Sequence, residues 1–170
     1  MIRALQRRWK GVARRVVPAM AGLAIVPAAI VLTGTAAHAD GPACHYDSQH
    51  NACLWITETW PGSGFYEVHI GIDVYMNPAQ AQDIVARGGG FYAKVMGDDP
   101  SYDDLLFYLD RLSQDVAPHG LSAEFHTSRI PGSWLDEDGD GRDEVYATVV
   151  LTNPGRSSRS FNSGQLTGSF

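Results

Sequence analysis

Phe65-Tyr66-Glu67-Val68-His69-Ile70-Gly71-Ile72-Asp73-Val74-Tyr75-Met76 is the stretch that decides the fold. Val68, Ile70, Ile72, Val74 and Met76 fall on one side of a period of two, and Glu67, His69, Gly71, Asp73 and Tyr75 fall on the other. Alternation sustained over that length predicts a strand with one face on a core and the other toward water. Upstream, Leu54 to Trp60 reads as a shorter strand, stopped by Pro61-Gly62-Ser63-Gly64. Downstream, Asn77 suits a helix cap and Pro78 the first helical position. A short helix is therefore expected over 79–87, ended by Gly88-Gly89-Gly90.

The rest of the chain repeats the strand pattern. Phe91, Ala93 and Val95 alternate up to the acidic turn Gly97-Asp98-Asp99-Pro100, and Leu121, Ala123 and Phe125 alternate again. Val145, Ala147, Val149 and Leu151 make a strong strand, and Phe161 to Phe170 predicts a closing edge strand. Residues 101–116 carry two periods: Leu105, Leu109, Leu112 and Val116 have helical spacing, whereas Leu105, Phe107 and Leu109 alternate. We read a strand through Leu109 and a loop from there to Gly120. About seven short strands with one short helix predict an antiparallel β-sandwich.

Charge is segregated along the chain. Arg3, Arg7, Arg8, Lys10, Arg14 and Arg15 precede the apolar run Ala19 to Leu32, and Ala37-His38-Ala39 supplies the small residues a signal peptidase reads. Residues 1–39 are thus expected to be a secretory signal peptide, leaving 40–170 as one acidic domain. Pro18, Gly22 and Pro27 and the shortness of the run argue against a membrane anchor. Residues 1–39 hold six of the thirteen basic residues and no acid, so the remaining 131 carry seven basic against nineteen acidic residues, a net of −12. That charge excludes ordinary nucleic-acid binding and favours cations or basic partners.

Export predicts that Cys44 and Cys53, the chain's two cysteines, form a disulfide. The rival is a zinc site, since His45 and His50 lie between them, but C-H-x4-H-x2-C matches none of the common zinc spacings. The two histidines are read as loop residues.

The sharpest chemical signal is Asp136-Glu137-Asp138-Gly139-Asp140-Gly141-Arg142-Asp143-Glu144. Carboxylates at positions 1, 3 and 5 converge on a hard cation, glycine at 6 permits the turn, and position 7 offers its carbonyl. Position 12 is Ala147 where an EF-hand needs a bidentate glutamate. These residues resemble the D-x-N-G-D-G-x-x-D calcium loop of integrin-type propeller (FG-GAP) repeats and, more distantly, that of dockerins. They depart from it in Asp138 for the usual Asn and Glu144 for the usual Asp. One copy of nine residues does not make a propeller, so the resemblance implies calcium and nothing about the fold. The implied ligands are Asp136, Asp138, Asp140, the Arg142 carbonyl and Glu144. The bland reading of the same residues is an acidic solvated turn.

A second acidic group, Asp98, Asp99, Asp103 and Asp104, completes that site, forms a second calcium site, or is a turn followed by a helix cap. His69, His119 and His126 are scattered without metal spacing, and no Gly-x-Ser-x-Gly, HExxH, P-loop or dinucleotide motif is present. Trp60, Tyr66, Tyr75 and Trp134 either face outward for sugar or protein recognition or pack in the core. The expected function is a secreted calcium-binding interaction module with an extracellular protein or carbohydrate partner. The alternatives are a secreted hydrolase of carbohydrate or peptide, or a protease inhibitor presenting Ile130-Pro131-Gly132-Ser133.

Overall fold

The computed structural model describes residues 41–99, 102–136 and 142–170. The expected signal peptide and the mature start at Asp40 lie outside these residues. Ten strands and one α-helix follow one another as β1 (Ala43–Tyr46), β2 (His50–Glu58), β3 (Phe65–Tyr75), α1 (Pro78–Ala86), β4 (Gly90–Gly97), β5 (Asp104–Leu109), β6 (Arg111–Ala117), β7 (Gly120–Pro131), β8 (Asp143–Thr152), β9 (Arg159–Asn162) and β10 (Leu166–Gly168). They form two antiparallel sheets. The first has the order β1-β2-β3-β7-β6, and the second β10-β8-β4-β5 with β9 also on β8. This is the antiparallel β-sandwich that the alternation predicts.

β3 is central to the first sheet, pairing Ile70 with Leu54 on one side and with Phe125 on the other. Val68, Ile70, Ile72 and Val74 are buried as expected, in one core with Val95, Val145, Ala147 and Val149 of the second sheet. Tyr66 shares their parity and is buried at 3 % exposure, its ring edge-on to Phe170 at 5.5 Å. The outward reading of Tyr66 is therefore corrected: a tyrosine in phase with the core face goes inside. Arg129 adopts φ 61° where the β3–β7 register shifts between Tyr66 and Val68, the local irregularity of a bulge.

α1 begins as its residues dictate. The Asn77 side chain accepts the Ala79 N–H at 2.8 Å, and Pro78 occupies the first turn, where no donor is needed. Gly88, at φ +80°, ends the helix by donating to the Val85 carbonyl.

Residues 101–116 differ from the sequence reading. Helical spacing fails as a pattern because Leu112 is 72 % exposed while Leu109 is buried, so these leucines share no face. The segment expected as a loop after Leu109 is instead β6, an edge strand of the first sheet paired with β7. β5 belongs to the second sheet, so the chain changes sheets at Asp110, whose N–H donates to Thr127 Oγ1 and whose carbonyl accepts the His126 N–H. An edge strand with exposed side chains has backbone bonds but no alternation to read.

The expected strand over 161–170 is two short ones laid end to end along β8. β9 pairs with Thr148–Leu151 and β10 with Asp143–Val145. Ser163 fills the break between them. Its N–H donates to the Ala147 carbonyl, and its hydroxyl accepts the Ala147 N–H at 2.9 Å.

Candidate binding face, acidic corner and hairpin

The outer face of the first sheet gathers side chains that the sequence shows as scattered. Trp55 of β2, His69 of β3 and His126 of β7 are register partners and make one cross-strand row. Trp55 stacks on His69 at 5.1 Å, and His126 meets His69 edge-on at 6.4 Å. In the next row Gly71 lies opposite Glu124, and a Cβ at position 71 would stand 3.1 Å from both Glu124 carboxylate oxygens. The glycine thus leaves room for that carboxylate, which reaches His69 Nε2 at 2.6 Å. Glu67 lies 3.8 Å from His126, so each imidazole of the row has a carboxylate beside it. Period-two reading places these residues outward, but only strand register shows that they are neighbours. Trp55 carries no signal of its own in the sequence, because only its pairing with His69 brings it into the row.

Asp73, Ser122 and His119 form a second polar group on this face. The Ser122 hydroxyl donates to Asp73 Oδ1 at 2.5 Å, and His119 Nε2 lies 3.1 Å from the same oxygen and 3.3 Å from the hydroxyl. A nucleophilic relay puts the carboxylate on one imidazole nitrogen and the serine on the other. Here one nitrogen faces both, and the serine proton is committed to the carboxylate. The arrangement orders a sheet face and does not activate a serine. Partial burial would raise the Asp73 carboxyl, but the bonds from Ser122 and His119 prevail and hold it below its ordinary range.

Of the acidic loop, Asp136 and Arg142 are exposed and Glu144 is half-buried at the start of β8, with Arg142 Nε 3.8 Å from the Glu144 carboxylate. Asp138 and Asp140 lie outside the described residues. Asp143, which no ligand set includes, is buried. The second acidic group divides. The Asp98 N–H donates to the Glu144 carbonyl at 2.8 Å, and Asp98 and Asp103 line a cavity of about 280 Å³ with Tyr146, Asn162, Ser163 and Gln165. Asp104 instead lines a groove of about 600 Å³ beside Leu105, Phe107, Tyr108 and Trp134. The Tyr146 hydroxyl donates to Asp103 Oδ2 at 2.5 Å, and Gln165 Nε2 donates to Asp98 Oδ2 at 2.8 Å. Burial first, then the Asp103 acceptor and the charges of Asp103 and Asp98, push the Tyr146 phenol up to about 12.

Cys44 and Cys53 are joined in a disulfide between register partners of β1 and β2, which overturns the four-ligand zinc reading. His45 and His50 are strand residues flanking the hairpin turn, not loop residues. Trp60, Tyr75 and Trp134 are exposed. The Ile130–Ser133 segment does not protrude: Ile130 and Gly132 are buried where β7 runs into a 3₁₀ turn over Gly132–Trp134. Among the described residues, no helix is long and apolar enough to cross a membrane. In comparison with known proteins, no family model, no curated protein and no solved structure matches the chain.

Proposed function

We propose that the protein is an exported, calcium-binding β-sandwich that acts as an extracellular binding module. The observation that carries the calcium reading is the bond from the Asp98 N–H to the Glu144 carbonyl. It draws the turn after β4 against the last residue of the Asp136–Glu144 run, so the carboxylates of Asp98 and Asp103 stand at the same end of the second sheet. Calcium takes six to eight oxygen donors in flexible geometry, which suits a carboxylate-rich end of a sheet better than magnesium, which demands a tight octahedron and keeps its water. A cation there would pin the start of β8 and lower the self-repulsion of an acidic domain.

The outer face of the first sheet supplies the binding surface in this reading. Flat rings in a row with carboxylates beside them can stack on a sugar ring while accepting from its hydroxyls, or receive a basic protein surface.

Calcium titration with thermal denaturation at constant ionic strength tests the ion. At calcium tenfold above a dissociation constant typical of extracellular modules, the gain is about 1.4 kcal/mol, a rise in melting temperature of roughly 4 to 6 °C at this size. Asp136→Ala and Glu144→Ala should each remove that rise. The same melting temperature in chelator and in calcium would leave the loop a solvated turn. Retention on insoluble polysaccharide or on a basic protein, lost in Trp55→Ala at unchanged melting temperature, tests the face.

A further inference from the structure

We propose that the β1–β2 hairpin holds a divalent transition metal ion, zinc(II) or copper(II), on His45, Asp47 and His50, at a site separate from the acidic loop. One ligand atom from each of the three residues can be chosen so that all lie within 4.8 Å of one another. His45 Nε2 is 3.4 Å from Asp47 Oδ2, and His50 Nδ1 is 3.1 Å from Asp47 Oδ1. Ligands about 2.0 to 2.1 Å from a tetrahedral zinc stand about 3.3 Å apart, so each histidine already lies at such a distance from one oxygen of the Asp47 carboxylate, and small side-chain adjustments would bring the three onto one ion.

The second observation is His50 itself. Its side chain is 8 % exposed, and both ring nitrogens are buried without a hydrogen-bond partner; the approach of Nδ1 to Asp47 is out of line for a bond. Both nitrogens of a buried imidazole normally find partners, and leaving them unmet carries a desolvation cost. A metal on Nδ1 would give one of the two nitrogens its partner. The ring is held in place, stacked on His45 at 5.0 Å and tilted against Phe161 at 4.9 Å.

Asp47 is ready as the anionic ligand. Its Oδ1 accepts the N–H groups of Gln49 at 2.6 Å and His50 at 2.8 Å, which closes the turn and fixes the carboxylate. Oδ2 is turned to His45. The Asp47 N–H donates to the His50 carbonyl, and the Cys44–Cys53 bridge clamps the strands immediately behind His45, so the three donors are set before any ion arrives. Two imidazoles and one carboxylate select a borderline transition metal over calcium, which takes oxygen. Three protein ligands leave a coordination position for water.

Tag-free protein with its disulfide intact is titrated calorimetrically with zinc chloride, copper(II) chloride and calcium chloride. The expected result is one zinc or copper ion per chain, with affinity lowered at least about tenfold in His45→Ala and in Asp47→Asn. His45 is exposed and Asn retains the turn-closing acceptor, so neither change threatens the fold. Ser48→Ala, in the same turn, and Asp136→Ala, in the acidic loop, should bind as the parent does. Zinc should shift the imidazole nitrogen resonances of His45 and His50 but leave those of His69 and His126 in place. Absence of zinc and copper binding, or binding that both ligand variants retain, overturns the proposal; shifts confined to His69 and His126 overturn it by moving the ion to the sheet face.

Discussion

Removing the Cys44–Cys53 bridge is the perturbation whose cost follows most directly from the topology. The cysteines are nine positions apart, and for a closed loop of that length the chain-entropy relation gives about 2.7 kcal/mol at 25 °C. They are also direct partners in the β1–β2 ladder, on an edge strand of four residues whose last two are exposed. The core residues of that hairpin, Ala52, Leu54 and Ile56, belong to β2 and are held from the other side by Ile72, Ile70 and Val68 of β3. Loss of the bridge should therefore cost about 2 to 3 kcal/mol on unfolding, or roughly 10 °C, and should loosen β1 alone. The assay is urea denaturation of a Cys44→Ala, Cys53→Ala double variant, with amide exchange resolved by residue. Exchange should accelerate most at His45 and Tyr46, through local opening of β1, while Ile70 and Phe125 accelerate only by the factor the lost global stability sets, about 30- to 160-fold. A double variant that fails to fold, or that exposes Ile70, would show that the bridge holds the core and would refute the reasoning. An unchanged denaturation midpoint would refute the entropy estimate.

Two further outcomes follow from named bonds. Ser163→Ala should lose about 1 to 3 kcal/mol in chemical denaturation, because the buried Ala147 N–H loses its acceptor and no neighbouring strand residue covers the break between β9 and β10. The Tyr146 phenol should resist ionisation to about pH 12 in spectrophotometric titration. Since its folded value lies above the unfolded 10, its stabilising share is complete below pH 10 and is lost as pH rises toward 12. Tyr146→Phe should abolish that alkaline loss, and a full complement of phenols ionising near pH 10 would contradict the Asp103 bond.

How much of this was legible from residues alone depended on whether a side chain has a face to declare. Val68 to Val74 and Val145 to Leu151 alternate because one side of each strand is in the core, and both strands form as read. The helix was legible because Asn77, Pro78 and the glycines after it act within one turn of themselves. β6 was not, because its side chains are exposed or half-buried and what makes it a strand is the backbone of β7. The same distinction governs the sites. The acidic loop is written in consecutive residues, so its spacing can be matched to a calcium pattern. The row Trp55, His69 and His126 exists only through register across three strands, and Asp47 gains meaning only when the turn brings His45 and His50 to it.

Charge compensation gives the last reason to place a cation at the acidic corner. Between residues 40 and 170 there are seven basic residues against nineteen acids. Arg87 is engaged by Asp83, Asn153 and the Pro154 carbonyl at the end of α1. Arg111 holds Gln114 and the Phe91 carbonyl, and Arg159 lies over the Phe161 ring and bonds Gln49. Arg129 lines a groove with Trp60 and Phe65. The carboxylates elsewhere are met by other donors: Asp47 by two backbone N–H groups, Asp73 by a hydroxyl and an imidazole, Glu124 by His69. At the corner, Asp98 and Asp103, which line one cavity, are met by Gln165 and the Tyr146 hydroxyl, and Glu144 has a long contact with Arg142. Neutral donors can accept the geometry of a carboxylate but not its charge, and the Arg142 pair is exposed and screened. Asp98 and Asp103, which share one cavity, therefore repel each other unless a counter-ion comes from solution, and a divalent ion on oxygen donors supplies that charge. That imbalance supports calcium at this end of the sandwich, whereas the hairpin, with two imidazoles to one carboxylate, has the opposite composition and calls for a different ion.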